Sequence, residues 1–158
     1  MGSGSVRRSD GDAWTDDAGW AAMLQRERAL FDPWAEGTAI GIGHFARDDA
    51  DREVADAGGG GGGGEMMVWE RRDGAMHVGH RRFDGFASAG VAVLFVAAPG
   101  ALESVHARLP AQALGAMKLA LRAGTMLLYV LEPRARLVDD GCEDFLEALG
   151  LAFMGACR

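Results

Sequence analysis

The sequence predicts an α+β domain: a mainly antiparallel sheet of about five or six strands, flanked by an N-terminal, a crossing and a C-terminal helix. Three observations carry this. Two short runs, Val91 to Ala98 and Met126 to Leu131, are apolar at every position, as strands covered on both faces are. Asp73-Gly74 separates two strand-like segments, a strong hairpin signal. Apolar residues recur at helical spacing near both ends, around Trp20 and around Phe145. The 158 residues fit one domain, residues 13–158, behind a short lead-in.

In chain order, residues 1–12 are rich in Gly, Ser and charge and read as a flexible N-terminus. Thr15, followed by Asp16 and Asp17, is a candidate N-cap for a helix carrying Trp20, Met23, Leu24, Leu30 and Phe31 on one face, which ends before Pro33. Trp34 follows as an anchor, and Thr38 to Phe45 reads as a strand with Ile40 and Ile42 inward. Residues 47–64 combine a charged stretch with the seven glycines Gly58 to Gly64 and read as a disordered loop. No Lys-Ser/Thr pair follows those glycines, so they do not form a phosphate loop. Glu65 to Arg71 and Ala75 to Phe83 form a strand pair, and the sheet then runs on as a meander into the Val91 strand.

Pro99-Gly100 breaks the Val91 run. Ala101 to Leu109 then alternates, with Val105, Ala107 and Leu109 on one face, and reads as the second strand of a hairpin. Pro110 opens a helix carrying Leu114, Met117 and Leu121, with Gly124 as its C-cap. For Met126 to Leu131 two readings stand, a buried strand or the continuation of one long helix through Gly124. Asp140 to Glu143 resembles a capping box, and Phe145, Leu149 and Phe153 lie on the stripe of a closing helix that reaches Arg158.

The formal charge of −7 and pI near 5.0 oppose attraction to nucleic acid or to an anionic membrane surface. The N-terminal residues lack the apolar core of a signal peptide, and no apolar run approaches spanning length. Cys142 and Cys157, both placed on the closing helix, stand about 22 Å apart by helical rise, too far for a disulfide. A cytoplasmic location is the resulting expectation.

One basic hairpin stands out in this acidic chain. Arg71, Arg72, His77, His80, Arg81 and Arg82 fall within twelve positions, whereas Asp10 to Asp56 carries twelve acids and four arginines. Forked guanidinium groups suit a carboxylate or phosphate, which makes these six the candidate ligand-binding residues. Charge on an exposed strand also suits a solvated edge. No metal site is expected from His44, His77, His80 and His106, because strand positions three apart face opposite ways. No cofactor is expected. Ser88 and Ser104 sit in no nucleophile-elbow pattern, Cys142 neighbours Glu143 and Asp144, and Asp48-Asp49 and Asp139-Asp140 read as loop and cap, so no catalytic residue is nominated.

Val93 to Leu121 resembles the C-terminal half of class I type III secretion chaperones. The pattern is a strand, a turn, a second strand with an Arg-Leu-Pro ending and an amphipathic helix, here LFVAAPGALESVHARLP and AQALGAMKLAL. The resemblance implies a homodimer that wraps an extended segment of an effector. Together with the missing catalytic spacing, it favours a non-enzymatic protein-binding module or chaperone-like adaptor, dimeric or bound to a protein partner. Trp20, Leu24, Phe145, Leu149 and Phe153 are the candidate partner-binding residues. The alternatives are a small enzyme or anionic-ligand binder using the 71–82 hairpin, and an acidic, antitoxin-like inhibitor steered by charge.

Overall fold

The computed structural model describes residues 10–43, 65–83, 85–109 and 111–151. One five-stranded mixed sheet, mostly antiparallel, carries helices before, between and after its strands. Helices α1 (Asp10–Thr15), α2 (Asp17–Arg26) and α3 (Arg28–Phe31) precede β1 (Ala39–Gly43), β2 (Glu65–Arg72) and β3 (Ala75–Arg82). A 3-10 turn (Phe86–Ser88) leads to β4 (Val93–Ala97), α4 (Ala101–His106) and α5 (Ala113–Ala123). The described part closes with β5 (Met126–Val130), α6 (Arg134–Asp139) and α7 (Glu143–Ala148). The glycine-rich segment 47–64, His44, Phe153 and Cys157 lie outside the described residues.

The strand order is β3-β2-β1-β4-β5. Alternation divides each strand between two apolar layers. Ile40, Ile42, Met67, Trp69, Val93 and Phe95 face the helices, joining Trp20, Leu24, Phe31, Met117, Leu137 and Phe145 in the main core. Ala39, Met66, Val68, Leu94 and Val96 face the other way, under Phe83, Ala89 and Val91 from the β3–β4 connection. That second layer explains why β1 and β4 are buried at every position.

Several expectations need correction. The sheet is not a meander into Val91, because β4 pairs in parallel with β1, Ile40 opposite Val93, and takes β5 as its antiparallel partner. A strand apolar on both faces is satisfied at the centre of a sheet and not beside the charged β3. Residues 101–106 are a helix. Ala101, Leu102, Val105 and His106 form its buried stripe at helical spacing, and the alternation of Val105, Ala107 and Leu109 is incidental to it. The opening helix is three short pieces, with Asp16 and not Thr15 capping α2 by accepting from the Gly19 N–H at 3.0 Å. Residues 10–12, read as part of the flexible lead-in, belong to α1.

A separate helix, α6, follows Pro133 ahead of the expected closing helix, and α7 itself runs only from Glu143 to Ala148, with Gly150, φ 78°, just beyond it and residues 152–158 outside the described residues. Gly124, with φ 82°, ends α5 as a left-handed cap, so Met126 to Val130 is a strand and the long-helix reading fails. The Asp73-Gly74 turn has positive φ at both residues, 54° and 76°, as a two-residue hairpin turn of that kind requires.

Candidate functional site

The ladder puts the six cationic hairpin residues on two faces. Glu70 stands opposite His77 and Met67 opposite His80. The two histidines therefore face apart, and Arg81 follows His77 while Arg82 follows His80. On the side away from the helices, Arg81 contacts Glu70 at 3.2 Å and the Gly90 carbonyl at 3.2 Å, and Arg72 lies 3.8 Å from the same glutamate. His77 Nε2 donates to the Arg72 carbonyl at 3.0 Å. On the helix side, Arg71 donates to the Phe31 carbonyl at 3.4 Å and lies 3.6 Å from Asp32. His80 is held between Asp17, 2.7 Å from Nε2, and Glu65, 3.2 Å from Nδ1.

Those two carboxylates sit at opposite ring nitrogens and cannot meet on one metal ion. Among the described residues no group of three metal-ligating side chains forms. A cleft of about 340 Å³ opens beside His80, lined by Trp14, Thr15, Asp17 and Glu65. An anion entering there would meet both carboxylates, so the cleft opposes the ligand class for which the hairpin was nominated.

Asp16 does a second job. Its Oδ2 lies 2.8 Å from Nε2 of His106, whose side chain is 4% exposed, while Oδ1 caps α2. The His106 ring packs against Trp20, and the Trp20 indole N–H donates to the Ala13 carbonyl at 2.7 Å. These contacts fasten α1, α2 and α4 together over the sheet. They satisfy a buried imidazole and present no open position to a substrate.

Trp20, Leu24, Phe145 and Leu149 are all within 1% of full burial. Phe145 sits among Phe31, Trp34 and Phe95, with ring centroids 5.3, 5.5 and 6.3 Å away. The stripes of both end helices are thus occupied by the protein's own core, and an incoming partner would meet other atoms.

Glu132 and Asp140, both half-buried, form an acidic corner with the buried Cys142 between β5 and α7. Burial first, then the hydrogen bond and charge of Asp140, holds the Glu132 carboxyl above the ordinary glutamate value, against the pull of Arg136. Burial, with Asp140 and Glu132 behind it, pushes the Cys142 thiol up to about 12. Such a thiol is protonated and unreactive at neutral pH. A raised carboxyl pKa means the folded chain keeps a proton that the unfolded chain has lost, so stability falls as pH rises above the ordinary glutamate value. Glu132→Gln is therefore expected to melt higher than the parent near neutral pH, with the gain vanishing as pH falls to about 4. Thermal melts of both proteins across that range measure it, and a gain that grows on acidification would reverse the assignment.

A roomier groove than the His80 cleft lies elsewhere. A groove of about 850 Å³ runs between α4 and α5, where β4 leaves the sheet and β5 enters it. Its walls include Pro99, Gly100, Val105 and Thr125, and its α5 side is built of Gly115, Ala116, Leu119, Ala120 and Ala123. Leu119 is 66% exposed, the most exposed large apolar side chain described. Ser104 turns its hydroxyl back to the Gly100 carbonyl at 3.1 Å, leaving Arg108 as the charged group in the lining. Among the described residues the Arg108 guanidinium is bonded only to the Gln112 side chain, at 3.4 Å. Reading 101–109 as a strand hid this groove. The signal that would have found it is the helical spacing of Ala101 with Val105 and of Leu102 with His106.

No protein-family model matches the chain, and no curated protein matches it. Among solved structures, the chain is similar to a conserved hypothetical protein of Thermus thermophilus, whose description names sterol carrier protein as one possibility. The two are 17% identical over 83% of this chain and 81% of that one, with a TM-score of 0.40. No helix among the described residues is long and apolar enough to cross a membrane.

Proposed function

We propose that the protein is a non-enzymatic, chaperone-like binding module whose α4–α5 groove takes the apolar face of an amphipathic helix from a protein partner. The observation that carries this is the groove itself, about 850 Å³ of space with the exposed Leu119 on its rim. Small residues along α5 let a second backbone approach closely, as helix-in-groove recognition requires. Arg108, with no carboxylate beside it among the described residues, suits an acidic residue on the partner's polar edge. The nominated chemistry elsewhere favours no competing reading: the hairpin cations have partners within the chain, and the Asp16–His106 pair is closed.

The resemblance to type III secretion chaperones needs a second strand at residues 101–109, where the chain instead forms the helix Ala101–His106 and a turn. The adaptor role is therefore proposed on the groove, with a helix in place of an extended segment as its guest. A synthetic helical peptide with Leu and Ala on one face and Glu on the other is the probe. Titrated into the labelled protein, it is expected to shift the backbone amides of Ser104, Arg108, Ala116 and Leu119 and to leave those of β2 and β3 in place. Leu119→Asp, which forces a carboxylate into the contact, is expected to weaken peptide binding by about tenfold or more. Shifts centred on another surface, or equal binding by the variant, would sink the proposal.

A further inference from the structure

The two edges of the sheet are built differently. β3 carries His77, His80, Arg81 and Arg82, and charge along an edge strand discourages the addition of another strand. β5 reads Met-Leu-Leu-Tyr-Val and carries no charge at all. Its only strand neighbour among the described residues is β4. The bonds at its two ends fix which way each residue points. Ala98 N donates to the Thr125 carbonyl at 2.8 Å and Leu131 N to the Ala92 carbonyl at 3.0 Å. In an antiparallel ladder every second residue bonds to a given neighbour, so Leu127 and Tyr129 turn their N–H and C=O groups toward β4. Met126, Leu128 and Val130 turn theirs outward, where no backbone partner stands among the described residues.

We propose that β5 pairs antiparallel with β5 of a second copy of this chain, about a two-fold axis through Leu128, giving one continuous ten-stranded sheet. The strand is self-complementary in that register. Leu128 stands opposite Leu128 of the second copy, and Met126 stands opposite its Val130, so all three outward-facing residues on each side find partners. Moving the axis one residue along the strand leaves only two matched. Moving it by half a residue sets outward groups against inward ones and forms no ladder. The operation keeps both helical layers on one side of the sheet, because the axis is perpendicular to it. It also covers Val130, 51% exposed in the single chain, and opposes no like charges. The charged β3 edge offers none of this, which is why the second copy is placed at β5.

Mass-resolved size exclusion of the full chain, with register-specific crosslinking, tests the proposal. The parent is expected to run as a dimer, and Val130→Lys to raise the dimer dissociation constant at least tenfold while keeping the parent's circular dichroism and melting temperature. Leu128→Cys, in a Cys157→Ser background, is expected to form an interchain disulfide on mild oxidation, since the α-carbons of a hydrogen-bonded pair stand about 5.5 Å apart. Val130→Cys in the same background is expected not to, because residues 130 of the two copies are separated by four positions along the ladder. Cys142 does not interfere, being buried and protonated. A parent that stays monomeric overturns the proposal, as does a dimer indifferent to Val130→Lys whose Leu128→Cys form does not crosslink. Peptide binding by the monomeric Val130→Lys protein reads the groove separately.

Discussion

Gly141→Ala is expected to unfold the C-terminal part of the domain or leave it severely destabilised. Gly141 has φ 83°, where an alanine is strained, and a methyl group there would collide with the Pro33 carbonyl carbon and oxygen. Neither obstacle can move cheaply. The Pro33–Trp34 backbone is held in place by the Ala35 N–H, which donates to the Asp140 carbonyl at 2.9 Å, and by the Trp34 N–H, which donates to the Phe31 carbonyl at 2.9 Å. Strain at a left-handed position and overpacking against a fixed backbone together cost on the order of 3 kcal/mol or more. In a domain of this length that lowers the melting temperature by roughly 10 °C. A calorimetric scan checks it. A variant that melts with the parent would mean that the chain from Asp140 onward is not docked against residues 33–35.

Phe145→Ala carries the second large effect. Its ring meets those of Phe31, Trp34 and Phe95 and is wholly buried, so truncation leaves a cavity where two elements meet the sheet. The expected loss is about 3–5 kcal/mol of stability. The same residue was a sequence-level candidate for partner contact, and the two roles separate in one experiment. Chemical denaturation of the isolated protein should show the loss with no partner present. A variant of unchanged stability that fails only to bind would return Phe145 to an interface.

How much of this was legible from sequence follows from the range of the interactions. The β2–β3 hairpin was, because its turn and both its strands lie within 18 contiguous residues and Asp73-Gly74 dictates the geometry. The identity of β5 hung on one residue, Gly124, whose left-handed conformation separates strand from helix. The parallel pairing of β1 with β4 left no local trace, since it depends on which face the β3–β4 connection crosses. For α4, an alternating and a helical period coexist in nine residues, and only burial against the core, a tertiary contact, selects the helical one. The charged hairpin drew notice through its side chains, yet their partners, Asp17, Asp32, Glu65 and Glu70, are assigned only by tertiary contact. The groove escaped notice for the opposite reason. Alanine, glycine and serine advertise nothing in a sequence, and what they leave between two helices is space.

The central place of β1 also has a kinetic side. The β2–β3 hairpin joins strands adjacent in sequence and the β4–β5 pair joins strands across α4 and α5, and neither pair is bonded to the other except through this one strand of five residues. Its pairing with β4 spans the longest stretch of chain in the sheet, Ile40 standing opposite Val93, while Trp69 stands opposite Ile40 on the other side. Contacts between residues so far apart reward the chain only after large loops have closed, and topologies that depend on them fold slowly for their size. Until β1 is in place, each half-sheet exposes an edge with no neighbour. The sheet's midline, made of Ala39, Ile40, Gly41, Ile42 and Gly43, is therefore where cooperativity between the two halves resides.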